Sequence, residues 1–173
     1  MRMFFALWPD APTRAQVADA AAALQLTDAA RPVPQQNYHL TLAFVGEVPS
    51  SRLGVLQQIG LAQRGSACTI RLDAYEHWRE SQVVATVAHE TPPTLLELST
   101  RLRAALQDHQ PALPWRAHVT LARKVTQAPV LQAMSPIQWC AKAFSLVSSD
   151  TRGSCSVYTV VDTWPLLDET PTR

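Results

Sequence analysis

Apolar positions along this chain alternate between short unbroken runs and helical stripes. Met3 to Trp8 is continuously apolar and predicts a buried strand. Pro9, Asp10 and Pro12 break it, with Asp10 placed to cap a helix and Pro12 in its first turn. Val17, Ala20, Ala21 and Leu24 then follow at helical spacing, to an end near Leu26. Arg31 to Gln36 reads as a Pro-containing loop, and Tyr38 to Val45 as a strand closed by Gly46. Pro49, Ser50 and Ser51 start a second helix with Leu53, Leu56 and Ile59 on one side, weakened by Gly60. Cys68 to Tyr75 and Val83 to Val87 predict strands joined by a polar turn. Thr91-Pro92-Pro93 opens a third helix with an apolar stripe at Leu95, Leu98, Leu102 and Leu106, ending before Pro111. Pro114-Trp115-Arg116 leads into a strand from Ala117 to Arg123. Ala143 to Val147 and Val157 to Trp164 complete the series, joined by a polar turn containing Arg152 and Gly153.

The predicted order is β-α-β-α-β-β-α-β-β-β. No linker or low-complexity tract divides it, so residues 1–173 are expected to form a single domain. The class is α+β, with mainly antiparallel sheets flanked by helices. Inside this pattern one short motif occurs twice. His39-Leu40-Thr41-Leu42-Ala43-Phe44 and His118-Val119-Thr120-Leu121-Ala122-Arg123 both read His, apolar, Thr, apolar, Ala. The copies are too far apart for a solenoid repeat and suit a duplicated half-domain, one motif strand in each of two intimate lobes. In an extended chain His and Thr share one face and the apolar pair shares the other. Each copy thus offers an imidazole and a hydroxyl together on an anchored strand. One copy alone would be read as a Thr-rich strand with a satisfied histidine; two among five histidines point to a site.

Composition narrows the chemistry. The chain of 173 residues is 47% hydrophobic with a formal charge of +1. That charge argues against a broad nucleic-acid footprint, though not against a small phosphorylated ligand or an RNA end. Cys68, Cys140 and Cys155 lack metal or disulfide spacing and read as reduced thiols of a cytoplasmic protein. The apolar start is too short for a signal peptide, and no stretch reaches the roughly 20 residues of a membrane span.

Two imidazoles beside two hydroxyls suit in-line displacement at phosphorus. One takes a proton from the attacking water, and the other gives one to the departing oxygen. The hydroxyls of Thr41 and Thr120 donate to the non-bridging oxygens, where charge gathers. Nothing in this scheme requires a metal or other cofactor, and no H-E-x-x-H, G-x-S-x-G, P-loop or G-x-G-x-x-G pattern is present. His77, His89 and His109 read as surface or turn residues, and Trp78, Trp115, Trp139 and Trp164 as core or rim packing. Arg79, Arg101 and Arg103 read as solvated surface. Arg123, next to Lys124, is suited to clamp phosphate, and Phe44 to stack on a base. Strict alternation opposes both roles. Counting by two from each motif His places Arg123 and Phe44 on the wrong face, unless the strand ends or bulges near Ala122.

With both motifs in view, the chain resembles the 2H phosphoesterase superfamily, and within it the RNA 2′,3′-cyclic phosphodiesterase branch, also called 2′-5′ RNA ligase. The resemblance takes in Arg2 to Leu7, His39 to Gly46, Ser81 to Val84, His118 to Arg123 and Tyr158 to Leu166. It implies a bilobed, pseudo-twofold fold with the cleft between the lobes. It implies metal-free opening of a 2′,3′-cyclic phosphate to a 2′-phosphate, with 2′-5′ joining of RNA ends in some members. It assigns His39 as general acid for the 3′ oxygen and His118 as general base for water. Thr41, Thr120 and Arg123 would hold the phosphate, with Phe44 against the base. The implied partners are RNA ends or nucleotides bearing a 2′,3′-cyclic phosphate; beside the resemblance, a monomer away from membranes is expected. Two other readings stand beside it: a 2H phosphodiesterase for a small cyclic nucleotide or ADP-ribose cyclic phosphate, and a nucleotide- or RNA-binding module without turnover.

Overall fold

The apolar run at the N-terminus becomes the inner strand of a sheet, which explains why it alternates so little. A computed structural model describes residues 1–27, 29–106, 115–150 and 156–167. His109, Cys155 and the turn with Arg152 and Gly153 lie outside those residues. The elements are β1 (Arg2–Leu7), α1 (Ala11–Ala22), β2 (Arg31–Pro32), β3 (Leu40–Glu47), α2 (Leu53–Ala62), β4 (Cys68–Leu72) and β5 (Ala74–Trp78). They continue with β6 (Val83–Val87), α3 (Pro93–Ala105), β7 (His118–Arg123), β8 (Ile137–Ala141), β9 (Ala143–Asp150) and β10 (Val157–Pro165). One antiparallel sheet has the order β10-β9-β1-β3 and the other β2-β7-β6-β5, with β4 and β8 as a separate pair. Each motif strand thus sits in its own sheet, as the α+β, two-sheet expectation requires.

In β1, Met3, Phe5 and Leu7 face the main apolar core, while Phe4 and Ala6 pack with Trp8, Val147 and Tyr158 on the other face. The main core is contiguous across both sheets, taking Phe5, Leu40 and Leu42 from the first and Val119 and Leu121 from the second. Asp10 caps α1 by accepting from Thr13 N–H at 2.9 Å, and the Thr13 side chain, with this backbone bond second, holds its carboxyl below the usual range. The α3 stripe of Leu95, Leu98 and Leu102 is buried and packs on β3. Gly60 in α2 has a packing reason: the Trp164 indole lies where a side-chain Cβ would be.

Four elements differ from expectation. Arg31–Pro32, expected within a loop, is the short β2, paired with Arg123 and Ala122. The run Cys68 to Tyr75 is two strands, because Asp73 breaks it. Leu72 pairs with Ile137 and Ala74 with Val87, in different sheets. Asp73 takes Arg71 on one carboxylate oxygen and His89 on the other, which holds the corner. β8 was missed although Ile137, Trp139 and Ala141 are buried in strict alternation with Gln138 and Cys140. Cys140 counts as apolar by type but is exposed here, which blurs that alternation. α1 ends at Ala22, short of Leu26. Leu24 and Leu26 instead cover Val84, Ala122 and Val125, on the face of the second sheet that also carries Val119.

Candidate active site

Each motif opens with a histidine tied back to its own chain. His39 Nδ1 lies 2.6 Å from the Asn37 carbonyl oxygen, and His118 Nδ1 lies 2.8 Å from that of Arg116. A carbonyl only accepts, so Nδ1 carries hydrogen in both rings and Nε2 is left for chemistry. Both tethers run to the residue two before the histidine. Asn37 is itself anchored, its side-chain amide donating to Ser156 O at 2.8 Å.

The strands then break alternation at the same place. On β3, Thr41 opposes Ala6 and Ala43 opposes Phe5, so Leu42 is an extra residue. On β7, Thr120 opposes Ala85 and Ala122 opposes Val84, so Leu121 is extra in the same way. A bulge of one residue swaps the faces of everything beyond it. Phe44 therefore opposes Phe4, which shares a face with Ala6, the partner of Thr41. Arg123 opposes Val83, which shares a face with Ala85 and Val87, the partners of Thr120 and His118. The parity objection to both residues disappears. Neither bulge leaves its extra carbonyl bare. Ser99 Oγ on α3 donates to Leu42 O at 2.7 Å, and Val33 N–H donates to Leu121 O at 2.8 Å.

The two imidazoles have different walls. His39 stands among Phe4, Trp8 and Tyr158, with ring centroids at 4.9, 5.4 and 5.1 Å. His118 meets Trp78 edge-on at 4.6 Å. Burial pulls the His39 pKa down to about 4, against the Asn37 bond, and the charges of Arg123 and His118 lower it further. His118 is also lowered, first by burial; Arg123 and Arg116 add to that, while the Arg116 carbonyl and the Glu76 charge oppose it. Arg123 thus acts on both rings. Thr41 is buried and Thr120 half-buried, whereas Phe44 is 62% exposed. A cavity of about 480 Å³ is lined by Arg2, Thr41, Phe44, Trp115 and His118, so both motifs contribute to one hollow. Trp115 Nε1 donates to Thr41 O at 3.3 Å across it.

The other candidates are placed elsewhere. His77 bonds the Val125 carbonyl at 2.8 Å and His89 bonds Asp73. Among the described residues no three His, Cys, Asp or Glu side chains are grouped to share an ion.

A family profile described as the 2′-5′ RNA ligase superfamily matches residues 9–153. The chain belongs to that superfamily. The RNA 2′,3′-cyclic phosphodiesterase of Escherichia coli (strain K12) is 30% identical over 170 residues, 95% of this chain and 96% of that protein. The enzyme of the same name from Thermus thermophilus is 29% identical, over 98% of this chain and 92% of its own. The crystal structure of Escherichia coli LigT complexed with 3′-AMP superposes with a TM-score of 0.84 at 29% identity, covering 96% of this chain and 98% of that one. The chain is therefore a 2H phosphoesterase of the cyclic phosphodiesterase branch.

Sequence reasoning missed several neighbours of the superfamily's paired histidines. Phe4, Trp8 and Tyr158 lay inside runs read only as strands or their ends, and Glu76 and Trp78 in a segment read as a turn. The tethers of His39 and His118 are backbone carbonyls, which leave no mark on residue type.

The Ser99 bond is open to test. Ser99→Ala leaves a buried carbonyl bare and should cost about 1–3 kcal/mol in urea unfolding. Thr100→Ala removes only an exposed back-bond to Leu96 O of 2.8 Å and should stay within about 0.5 kcal/mol. Equal losses would show that the Leu42 bulge does not depend on Ser99.

Proposed function

We propose that this protein opens 2′,3′-cyclic phosphates at RNA ends to 2′-phosphates, using His39 as acid and His118 as base. The observation that carries the reading is the pair of imidazoles with Nδ1 tied back and Nε2 available, in two motifs that both line one cavity, the first through Thr41 and Phe44 and the second through His118. The names of the Escherichia coli and Thermus thermophilus relatives support the substrate, as does the 3′-AMP complex of the solved relative.

In the reaction, His118 Nε2 takes a proton from water as its oxygen bonds to phosphorus. The bond from phosphorus to the 3′ oxygen breaks in line, and His39 Nε2 protonates that oxygen. Thr41, Thr120 and Arg123 hold the non-bridging oxygens, and Phe44 lies against the base. Both proton transfers are supplied by the chain, so no step runs through a metal. A ribose 5′-hydroxyl in place of water would leave a 2′-5′ linkage by the same bond changes, and would need no ATP. Glu76 suits the base role of His118, because its charge favours the imidazolium formed as water loses its proton. A binding module without turnover would have no use for two available Nε2 atoms. The free thiols of Cys68 and Cys140 support a cytoplasmic setting, and no helix among the described residues is long and apolar enough to cross a membrane.

Incubation with a nucleoside 2′,3′-cyclic phosphate should yield the 2′-phosphate, and yield it after exhaustive chelation. His39→Ala and His118→Ala should each lower kcat/KM by about 10²–10⁴ with unchanged circular dichroism. The double variant should be little worse than either single one, since the pair acts as a unit. A 3′-phosphate product, or near-wild-type turnover in either single variant, would contradict the assignment.

The pH profile carries a second test. kcat/KM reports the free enzyme and kcat the complex. Before substrate binds, both imidazoles are held below the ordinary histidine pKa. A bound phosphate anion raises them. The alkaline limb, where the acid loses its proton, should therefore lie at lower pH in kcat/KM than in kcat. Coincident limbs would mean that substrate charge does not set the protonation of the acid.

A further inference from the structure

The hollow holding Phe44 and Thr41 has a neighbour across His118. This second groove, about 750 Å³, is lined by Trp78, Arg79, Ser81, Trp115, Arg116 and His118. Trp115 and His118 line both. Each volume falls within the roughly 300–1,000 Å³ of pockets that enclose a small ligand. Hydrolysis of a mononucleotide cyclic phosphate needs only one such space beside the phosphate seat, so the second has no occupant in the reaction above.

Ribose geometry supplies one. The 2′,3′ edge of the sugar lies between C1′, which bears the base, and C4′, which bears the 5′ arm. A ribose seated with its cyclic phosphate at the imidazoles sends its base to one side and its 5′ phosphodiester to the other. With the base on Phe44, the 5′ arm leaves toward the groove across His118.

The groove walls are suited to that arm. Trp78 Nε1 donates to one oxygen of Glu76 at 2.8 Å, and Arg116 donates to the other. Trp115 is fixed by its bond to Thr41 O. Both indoles are thus preorganised, at no ordering cost when a nucleotide arrives. Arg79 lies on the exposed rim of the groove, where its guanidinium can meet a phosphodiester, while Arg116 is held by Glu76. Indole walls with a guanidinium at the rim are the means by which proteins hold single-stranded nucleic acid.

The geometry points to this groove as the seat of the RNA chain on the 5′ side of the reacting end: the phosphodiester and the nucleotide that precede the cyclic-phosphate residue. The inference rests on the cyclic phosphodiesterase reading. It makes the enzyme selective for an RNA end over a free nucleotide, with Arg79 and Trp78 determining that selectivity. The groove has room for a short segment only, in keeping with the chain's charge of +1.

The test compares uridine 2′,3′-cyclic phosphate with a trinucleotide ending in the same residue, at low salt. Wild type should show a kcat/KM for the trinucleotide at least about tenfold higher, and that gain should shrink as salt rises. Arg79→Glu lies on the exposed turn after β5, away from the reacting atoms. It should leave mononucleotide turnover within about twofold and remove about fivefold or more of the trinucleotide gain. Mononucleotide turnover with no trinucleotide gain in wild type, or a gain untouched by Arg79→Glu, overturns the groove and leaves the activity standing. Wild-type protein inert on both substrates overturns the activity reading, and the groove with it.

Discussion

The site depends on one backbone irregularity made twice. Strict alternation lets a strand offer His and Thr to a cleft, but sends the fifth residue after each histidine to the opposite face. Leu42 and Leu121, each inserted without a partner on the neighbouring strand, reverse that. Phe44 and Arg123 are brought to the faces of Thr41 and Thr120 as a result. A bulge strips its extra residue of ladder bonds, so it persists where something else satisfies the backbone. Ser99 on α3 does this for Leu42, and Val33, next to the short β2, does it for Leu121. The third helix and the shortest strand therefore both bear on which face Phe44 and Arg123 take.

The same strands set the protonation of the rings. Aromatic walls and the Arg123 charge make imidazolium unfavourable at His39, so the empty site keeps it neutral. Acid catalysis needs the opposite. An anion about 4 Å from the ring, at an effective dielectric of about 20, contributes about 4 kcal/mol, or about three pKa units. That lifts a histidine from about 4 into the neutral range. In the proposed reaction the substrate's own phosphate thus completes the acid, and Arg123 pairs with the same phosphate.

Much of this was legible in the residues. The strand runs, the helical stripes and the doubled His-x-Thr-x pattern follow from periodicity, and they place both imidazoles on anchored strands. Asp73 as a corner was not legible, because the apolar positions of Cys68 to Tyr75 continue through the change of sheet. β8 was hidden by an exposed cysteine in a polar slot. The bulges were visible only as a contradiction: Arg123 and Phe44 looked chemically right and geometrically wrong. The conflict marked where the backbone departs from regularity, though its form, one extra leucine in each copy, needed the strand register. The aromatic box around His39 comes from β1, the Trp8 that follows it, and β10, far apart in sequence, and no local pattern brings Phe4 to Tyr158.

The central claim is that one phosphorus lies between two imidazoles with opposite tasks. Replacing the bridging 3′ oxygen of a 2′,3′-cyclic phosphate with sulfur tests it most directly, since the sulfur leaves with little need for a proton. The ratio of kcat/KM between the sulfur and oxygen substrates is measured for wild type, His39→Ala and His118→Ala, and read as transition-state free energy. The account predicts that the His39→Ala defect shrinks greatly with sulfur while the His118→Ala defect stays large, because water still needs a base. Rescue of His118→Ala alone would reverse the two roles, and equal rescue of both would contradict the division of labour between them.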